Sequence, residues 1–470
     1  MITAQTTRYL PTGTFMPTTR RFLPALLLGL CLLTLSGNAQ TVLQHTAPVT
    51  SAVFSPDGAH LLTSSYDSTA VIWDAATGAK QITMKGHTSR IISAYYNAAG
   101  DRVVTASWDS TARVWDAATG NQQLVLRGHT ANVRLALFSN NGERIITTGE
   151  DGTARVWDAA NGAMLQTLKA DTIPGFFTAQ FNPAGTRAVT AGRGRDSTAQ
   201  IWDATTGQLL HTLRGHQGSL NYAEFSHDGR LIVTAGFDKT ARIWDAGTGE
   251  QLHQLTGHTD RVRTAYFSDD DARIITASFD MTARIWDVKT GEQLHNLAMH
   301  MDRVRDARFS RDGKLAASAG FDGGALIWDT KTGDTVRLLL GHTAPLYSAV
   351  FNPDATRLVT CSDDRTAIIW KLTPASSAPN AAAANGVARL QLLPNPAAGE
   401  TVLRLPAPAE TTLRVAVTTV AGETVMVKEV AVGESALVIP VGLLPAGIYH
   451  VAVEGGKQQW GAGWLHVSKE

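Results

Sequence analysis

The sequence predicts an all-β chain, an eight-bladed β-propeller followed by a small C-terminal β-sandwich. Three observations carry this expectation. A tryptophan recurs eight times at near-constant spacing, each repeat alternates short β-rich runs with turn residues, and the pattern gives way after residue 372 to a tail of different build.

The tryptophans are Trp73, Trp115, Trp157, Trp202, Trp244, Trp286, Trp328 and Trp370, spaced by 42 residues in every interval but one, which is 45. An aspartate follows all but the last, where Lys371 stands instead. A histidine lies 28 residues before the tryptophan in seven units: His45, His87, His129, His216, His258, His300 and His342. An aspartate lies six residues before it in all eight: Asp67, Asp109, Asp151, Asp196, Asp238, Asp280, Asp322 and Asp364. Four residues before most of those aspartates is a hydroxyl, as at Thr63, Thr105, Thr147, Thr234, Thr276, Ser318 and Thr360. In the sixth unit the strands are expected at Val262 to Phe267, Arg273 to Ala277, Thr282 to Trp286 and Gln293 to Leu297, with turns between them. Four strands per unit of about 42 residues is the period of a propeller blade.

The last unit stops at Trp370-Lys371-Leu372 without a fourth strand, while Thr41-Val42-Leu43-Gln44 precedes His45 much as Gln81-Ile82-Thr83-Met84 precedes Gly86-His87. The N-terminal run is therefore expected to complete the eighth blade and leave no open sheet edge.

The Gly-His start, the Asp-x-Thr-Ala-Arg-Ile-Trp-Asp end and the Ser-Pro-Asp-Gly turns resemble the WD-repeat family over roughly residues 41–372. The resemblance implies that histidine, hydroxyl, aspartate and tryptophan form a buried hydrogen-bond network in each blade. Elementary energetics agrees, since an unpaired buried polar group costs about 1–3 kcal/mol and such groups persist together or not at all. A ring of metal-binding or catalytic histidines fails on distance, because equivalent positions on packed sheets lie ~10 Å apart and zinc–nitrogen bonds are ~2 Å. No metal and no cofactor is expected.

The same resemblance makes one rim of the propeller the usual contact surface. The residue before each turn aspartate should stand there: Tyr66, Trp108, Glu150, Arg195, Phe237, Phe279, Phe321 and Asp363. Three and five residues after the histidine, the first strand should leave the same rim, bringing Arg90, Arg134, Arg261, Arg263, Arg303 and Arg305. Blades five to seven thus combine aromatics with arginines, a surface suited to a carboxylate-rich protein or an anionic glycan. The plainer alternatives are aromatics packed between blades and arginines tied to Asp260, Asp302 and Asp306. Blade four is irregular: Asp171 or Thr172 stands where the histidine belongs, and the hairpin before Asp196 gains two residues around Gly192 to Arg195.

Both ends read as addresses. Arg20 and Arg21 precede a fourteen-residue apolar run, Phe22 to Leu35, which is too short for a ~30 Å hydrocarbon core and suits a signal peptide. Ser36-Gly37-Asn38-Ala39 offers cleavage before Gln40; an uncleaved anchor is the alternative. Residues 373–386 read as a flexible linker. Strands are then expected at Thr401–Leu405, Thr412–Thr418, Thr424–Val432, Leu437–Val441, around Ile448 to Val453 and at Trp464–Val467, a β-sandwich spanning 387–470. Its Pro394-Asn395-Pro396 opening, mid-domain Ala421-Gly422-Glu423 and Leu444-Pro445-Ala446-Gly447-Ile448-Tyr449 segment resemble the C-terminal sorting domain of type IX secretion cargo in the Bacteroidetes. That resemblance implies export through outer-membrane machinery to the surface or beyond, with an Ig-like binding module as the alternative.

Lysine plus arginine equal aspartate plus glutamate at 41 each, which argues against a nucleic-acid binder. Once Cys31 leaves with the signal peptide, Cys361 stands alone, so no intrachain disulfide is expected. No nucleophile elbow, phosphate loop or metal-ligand cluster stands out. The expectation is a non-catalytic binding scaffold whose partner is a protein, or else a glycan. The alternative is an extracellular hydrolase or lyase working from the central channel.

Overall fold

The computed structural model describes residues 40–170, 175–193 and 197–372, and in the tail 391–393, 401–404, 412–419, 424–432, 436–440, 444, 447–454 and 462–467. The expected signal peptide, the linker, Asp171, Thr172, Arg195 and Asp196 lie outside these residues.

Eight four-stranded antiparallel sheets form the propeller. Blade six shows how the sequence builds each of them. Its first strand, Val262–Phe267, is innermost, and its second, Arg273–Ser278, is buried over five of six residues. β-Branched and small residues fill that strand because sheets cover both of its faces. The third strand, Ala283–Asp287, carries the tryptophan, and the fourth, Gln293–Leu297, is exposed apart from Leu297 and the half-buried His295. Burial therefore falls from the axis outward.

The core lies between blades. Val189, Ile201 and Leu213 of blade four pack against Ala223, Ile232 and Trp244 of blade five, and the other junctions repeat the pattern. Arginines add polar staples on the face away from the candidate rim. Arg102 donates to the carbonyls of Ala159 and Gly142 in the next blade at 2.7 and 2.6 Å, and Arg273 bridges to Thr330 and Gly313.

The ring closes as its sequence predicts. Gln40–Gln44 pairs antiparallel with Thr366–Lys371 of blade eight, from Gln40 opposite Trp370 to Gln44 opposite Thr366. Leu43, 1% exposed, joins Val359 and Ile369 of blade eight to Val49, Leu61 and Trp73 of blade one. The outer edge of Thr366–Lys371 is thereby paired, and blade eight reaches four strands like the others. Cys361 is a free, buried thiol in the same cluster.

The tail strands form two antiparallel sheets. One orders Gln391–Leu393, Thr401–Arg404 and Ala436–Ile439; the other orders Thr424–Val430, Leu413–Thr419, Gly447–Glu454 and Ala462–Val467. Among the described residues, no helix is long and apolar enough to cross a membrane.

Candidate interaction face and central channel

The recurring polar residues meet inside each blade. In blade six, His258 Nδ1 lies 2.8 Å from Asp280, its Nε2 lies 2.8 Å from Thr276 Oγ1, and Trp286 Nε1 donates to that hydroxyl at 2.9 Å. The same geometry holds around His45 with Asp67, His87 with Asp109, His129 with Asp151, His216 with Asp238, His300 with Asp322 and His342 with Asp364. One tautomer satisfies every atom. A carboxylate only accepts, so Nδ1 donates to it. An indole N–H only donates, so the hydroxyl proton goes to Nε2.

Burial acts against the charge on Asp67, Asp109, Asp151, Asp238 and Asp280. Hydrogen bonds from the histidine, the nearby threonine and a backbone N–H outweigh it and hold these carboxyls well below the usual range. Burial also lowers the pKa of His87, His216, His258 and His342, which keeps them neutral despite their aspartates. All seven histidines are thus committed to the framework.

Among the described residues, blade four shows the tryptophan–hydroxyl half of this network. Trp202 Nε1 still donates to Thr190 at 2.9 Å, and Gln200, whose amide is tied to Thr198, takes a bond from the same hydroxyl at 3.2 Å. Sequence spacing missed Thr190 because the two extra hairpin residues put it twelve, not ten, residues before its tryptophan.

Five candidate aromatics stand half-buried around one mouth of the channel, and arginines cover them. Arg90 lies 4.6 Å from the ring centre of Tyr66 and 4.9 Å from that of Trp108. Arg261 of blade six covers Phe237 of blade five at 4.5 Å, and Arg303 of blade seven covers Phe279 of blade six at 5.4 Å. Phe279 and Phe321 lie 6.0 Å apart. Each arginine therefore stacks mainly on the preceding blade's aromatic. Arg90, Arg261 and Arg303 remain exposed to solvent.

Arg263 and Arg305 stand on the axis side of the same mouth, lining one space with Tyr66, Trp108, Phe237 and Phe279. The first strand of every blade carries a register shift, for example between Val262 and Thr264 and between Val304 and Asp306. The extra residue of each bulge turns toward the axis. Thr50, Ile92, Arg134, Phe177, Asn221, Arg263, Arg305 and Tyr347 hold this position, and all line the upper channel, a space of about 420 Å³. Alternation along a strand cannot reveal such a re-aimed side chain.

Below this ring the channel is asymmetric. Arg308 donates to Asp306 at 2.9 Å and to the Tyr266 hydroxyl at 2.7 Å. Tyr222 and Tyr266 pack 4.8 Å apart, and Tyr222 donates to Glu224 at 2.9 Å. Burial pushes the Glu224 carboxyl up to about 7, against bonds from the Phe267 N–H and Tyr222. A second space of about 590 Å³ opens toward the opposite face, and Tyr95 and Arg308 border both. The sequence singled out neither Glu224 nor this tyrosine cluster; unlike the histidines, they do not recur from blade to blade around the ring.

A ring of eight four-stranded blades, seven of them locked by tryptophan, hydroxyl and histidine, defines the class as a repeat propeller. Comparison with known families gives the rest. Residues 31–74, 78–116, 120–158, 207–245, 249–287, 291–329 and 333–371 match the family described as WD domain, G-beta repeat. The chain belongs to the WD-repeat family. The interval from 159 to 206, which holds blade four, is not covered by these matches. Residues 391–462 match the secretion system C-terminal sorting domain. Among solved structures, the crystal structure of the computationally designed Ika8 protein is 27% identical, with a TM-score of 0.62, covering 70% of this chain and 97% of that one. No curated protein matches the chain.

Proposed function

We propose that this chain is a secreted or surface-displayed binding scaffold that captures a protein partner on the arginine–aromatic mouth of its propeller. The single observation that carries this reading is the stacking of exposed Arg90, Arg261 and Arg303 over half-buried Tyr66, Trp108, Phe237 and Phe279. Stacking pre-orders each guanidinium, so less side-chain freedom is lost when it meets a carboxylate, and flat aromatic area lies beside it. An anionic glycan is the second ligand class that suits such a surface. Phe321 belongs to this face through Phe279, and Arg195, outside the described residues, is assigned to it from its repeat position alone.

Export follows from the sorting tail, with a cleaved signal peptide over residues 1–39 for passage into the periplasm. Binding is preferred to catalysis because the recurring histidines and aspartates are consumed by one another. One observation favours the enzymatic alternative: Glu224, half-buried and hydrogen-bonded to the channel-lining Tyr222, has its carboxyl pushed up to about 7. The test compares the full chain with Phe279→Ala/Arg303→Ala for capture of surface proteins from the producing cells and for binding on a glycan array. At least tenfold weaker capture is expected, with unchanged melting. Capture at wild-type strength would remove the mouth as the binding site.

A further inference from the structure

The eight bulge residues of the channel mouth do not all satisfy themselves. Thr50 donates to the Ile91 carbonyl at 2.8 Å and Asn221 to the Val262 carbonyl at 3.0 Å, each reaching the next blade. Arg134 is bonded to Glu150, with Nε to Oε1 at 2.7 Å. Arg305 lies against the Tyr347 ring at 3.8 Å, a contact that leaves its N–H groups free of any carboxylate. Arg263 has no hydrogen bond or ion pair among the described residues.

The local charge is unbalanced. Four arginines (Arg134, Arg263, Arg305 and Arg308) line this part of the channel against one acid, Asp306. Arg308 takes Asp306 at 2.9 Å, and Glu150 at the rim takes Arg134. Arg263 and Arg305 form no ion pair among the described residues, and Asp306, the acid near them, is taken by Arg308. Enclosure, then the neighbouring charge of Arg305, outweighs the pull of Asp306 and pushes the Arg263 guanidinium down to about 10, so the channel holds its cations at a cost. Two guanidinium groups without an ion pair that line one space of this size, beside flat aromatic walls, are complementary to an oxyanion.

We propose that the upper channel is an anion site in which Arg263 and Arg305 bind an oxyanion group, either a free small anion or an acidic side chain inserted by a protein partner. Only the second source rests on the reading of the mouth as a partner surface.

The experiment titrates the full chain with inorganic phosphate and, separately, with a tetraglutamate peptide, at constant ionic strength set by chloride. The variants are Arg263→Gln and, as a charge-matched control, Arg230→Gln, whose side chain is 85% exposed on a turn away from the channel. Saturable binding of either ligand, weakened at least tenfold by Arg263→Gln and unchanged by Arg230→Gln, supports the site. Which ligand binds tells the free anion from the peptide-borne one. No saturable binding of either, or equal binding by Arg263→Gln, overturns the proposal. Without ligand, Arg263→Gln should melt at or above the wild-type temperature because a repulsion is removed. A lower melting temperature would make Arg263 a structural group and also overturn it. The Phe279→Ala/Arg303→Ala capture assay reads the mouth independently, so either reading can fail alone.

Discussion

Trimming Leu43 to alanine tests how the ring is held shut. Leu43 is 1% exposed and sits where the N-terminal strand, blade eight and blade one meet. Replacing a fully buried leucine by alanine costs the transfer of its lost carbons plus a cavity, together about 3 kcal/mol. A cooperative unit of about 330 residues melts with an entropy near 0.7 kcal/mol per kelvin, so that loss lowers the melting temperature by roughly 4 °C. Val42, the adjacent residue on the same strand, is 52% exposed. Its alanine variant should stay within about 1 °C of wild type. Scanning calorimetry of the full chain at one scan rate measures both. Deleting residues 40–44 removes the strand as well, opens the Thr366–Lys371 edge and should add concentration-dependent self-association. Equal melting of Leu43→Ala and Val42→Ala, or an unchanged curve after the deletion, would refute the closure.

Three further outcomes are expected. Glu224 binds its proton more tightly in the folded state, about 7 against 4.5 when free, so its destabilising effect is absent below pH 4.5, grows as pH rises and is complete above 7. Glu224→Gln should therefore match wild type near pH 4.5 in urea titrations and exceed it by about 3 kcal/mol at pH 8; a gap that shrinks with rising pH would contradict this. His258→Ala leaves Asp280 and Thr276 each short of a partner, at roughly 3 kcal/mol. Hydrogen exchange in its outer strand Gln293–Leu297 should approach that of Leu209–Leu213 in blade four, whose sequence has no histidine at the network position. Protection in blade six equal to wild type would count against the network. Truncation after residue 386 should leave the protein in the periplasm, and its appearance in culture medium at normal levels, measured by cell fractionation, would sink the role of the tail.

The repeat itself was legible in the sequence because it is a period. Tryptophan, hydroxyl, histidine and aspartate recur at fixed offsets, and buried polar groups must find one another within each copy. Closure was legible too, since a missing fourth strand at one end and a spare one at the other can only complement each other. Thr190 escaped because two inserted residues broke the offset, and Gln200 escaped because its role exists in one blade alone.

The candidate site divides the same way. The sequence marked Tyr66, Trp108, Phe237, Phe279 and Phe321 and the arginines near them, but gave no means of pairing them. Arg261 comes 24 residues after Phe237, and only the side-by-side packing of blades five and six brings them to 4.5 Å. Nor did strand alternation foretell that a bulge would turn Arg263 and Arg305 toward the channel axis.

What the sequence by itself determined is the blade: its four strands, its locking network, the count of eight and the exchange of strands that seals the ring. These depend on local pairing and on a period that any single repeat already contains. What only the tertiary structure decided is the axis. Charge balance, stacking and the shifted carboxyl of Glu224 arise from residues in different blades that share one narrow channel. No periodic pattern encodes them, because they sit at positions where the repeats differ.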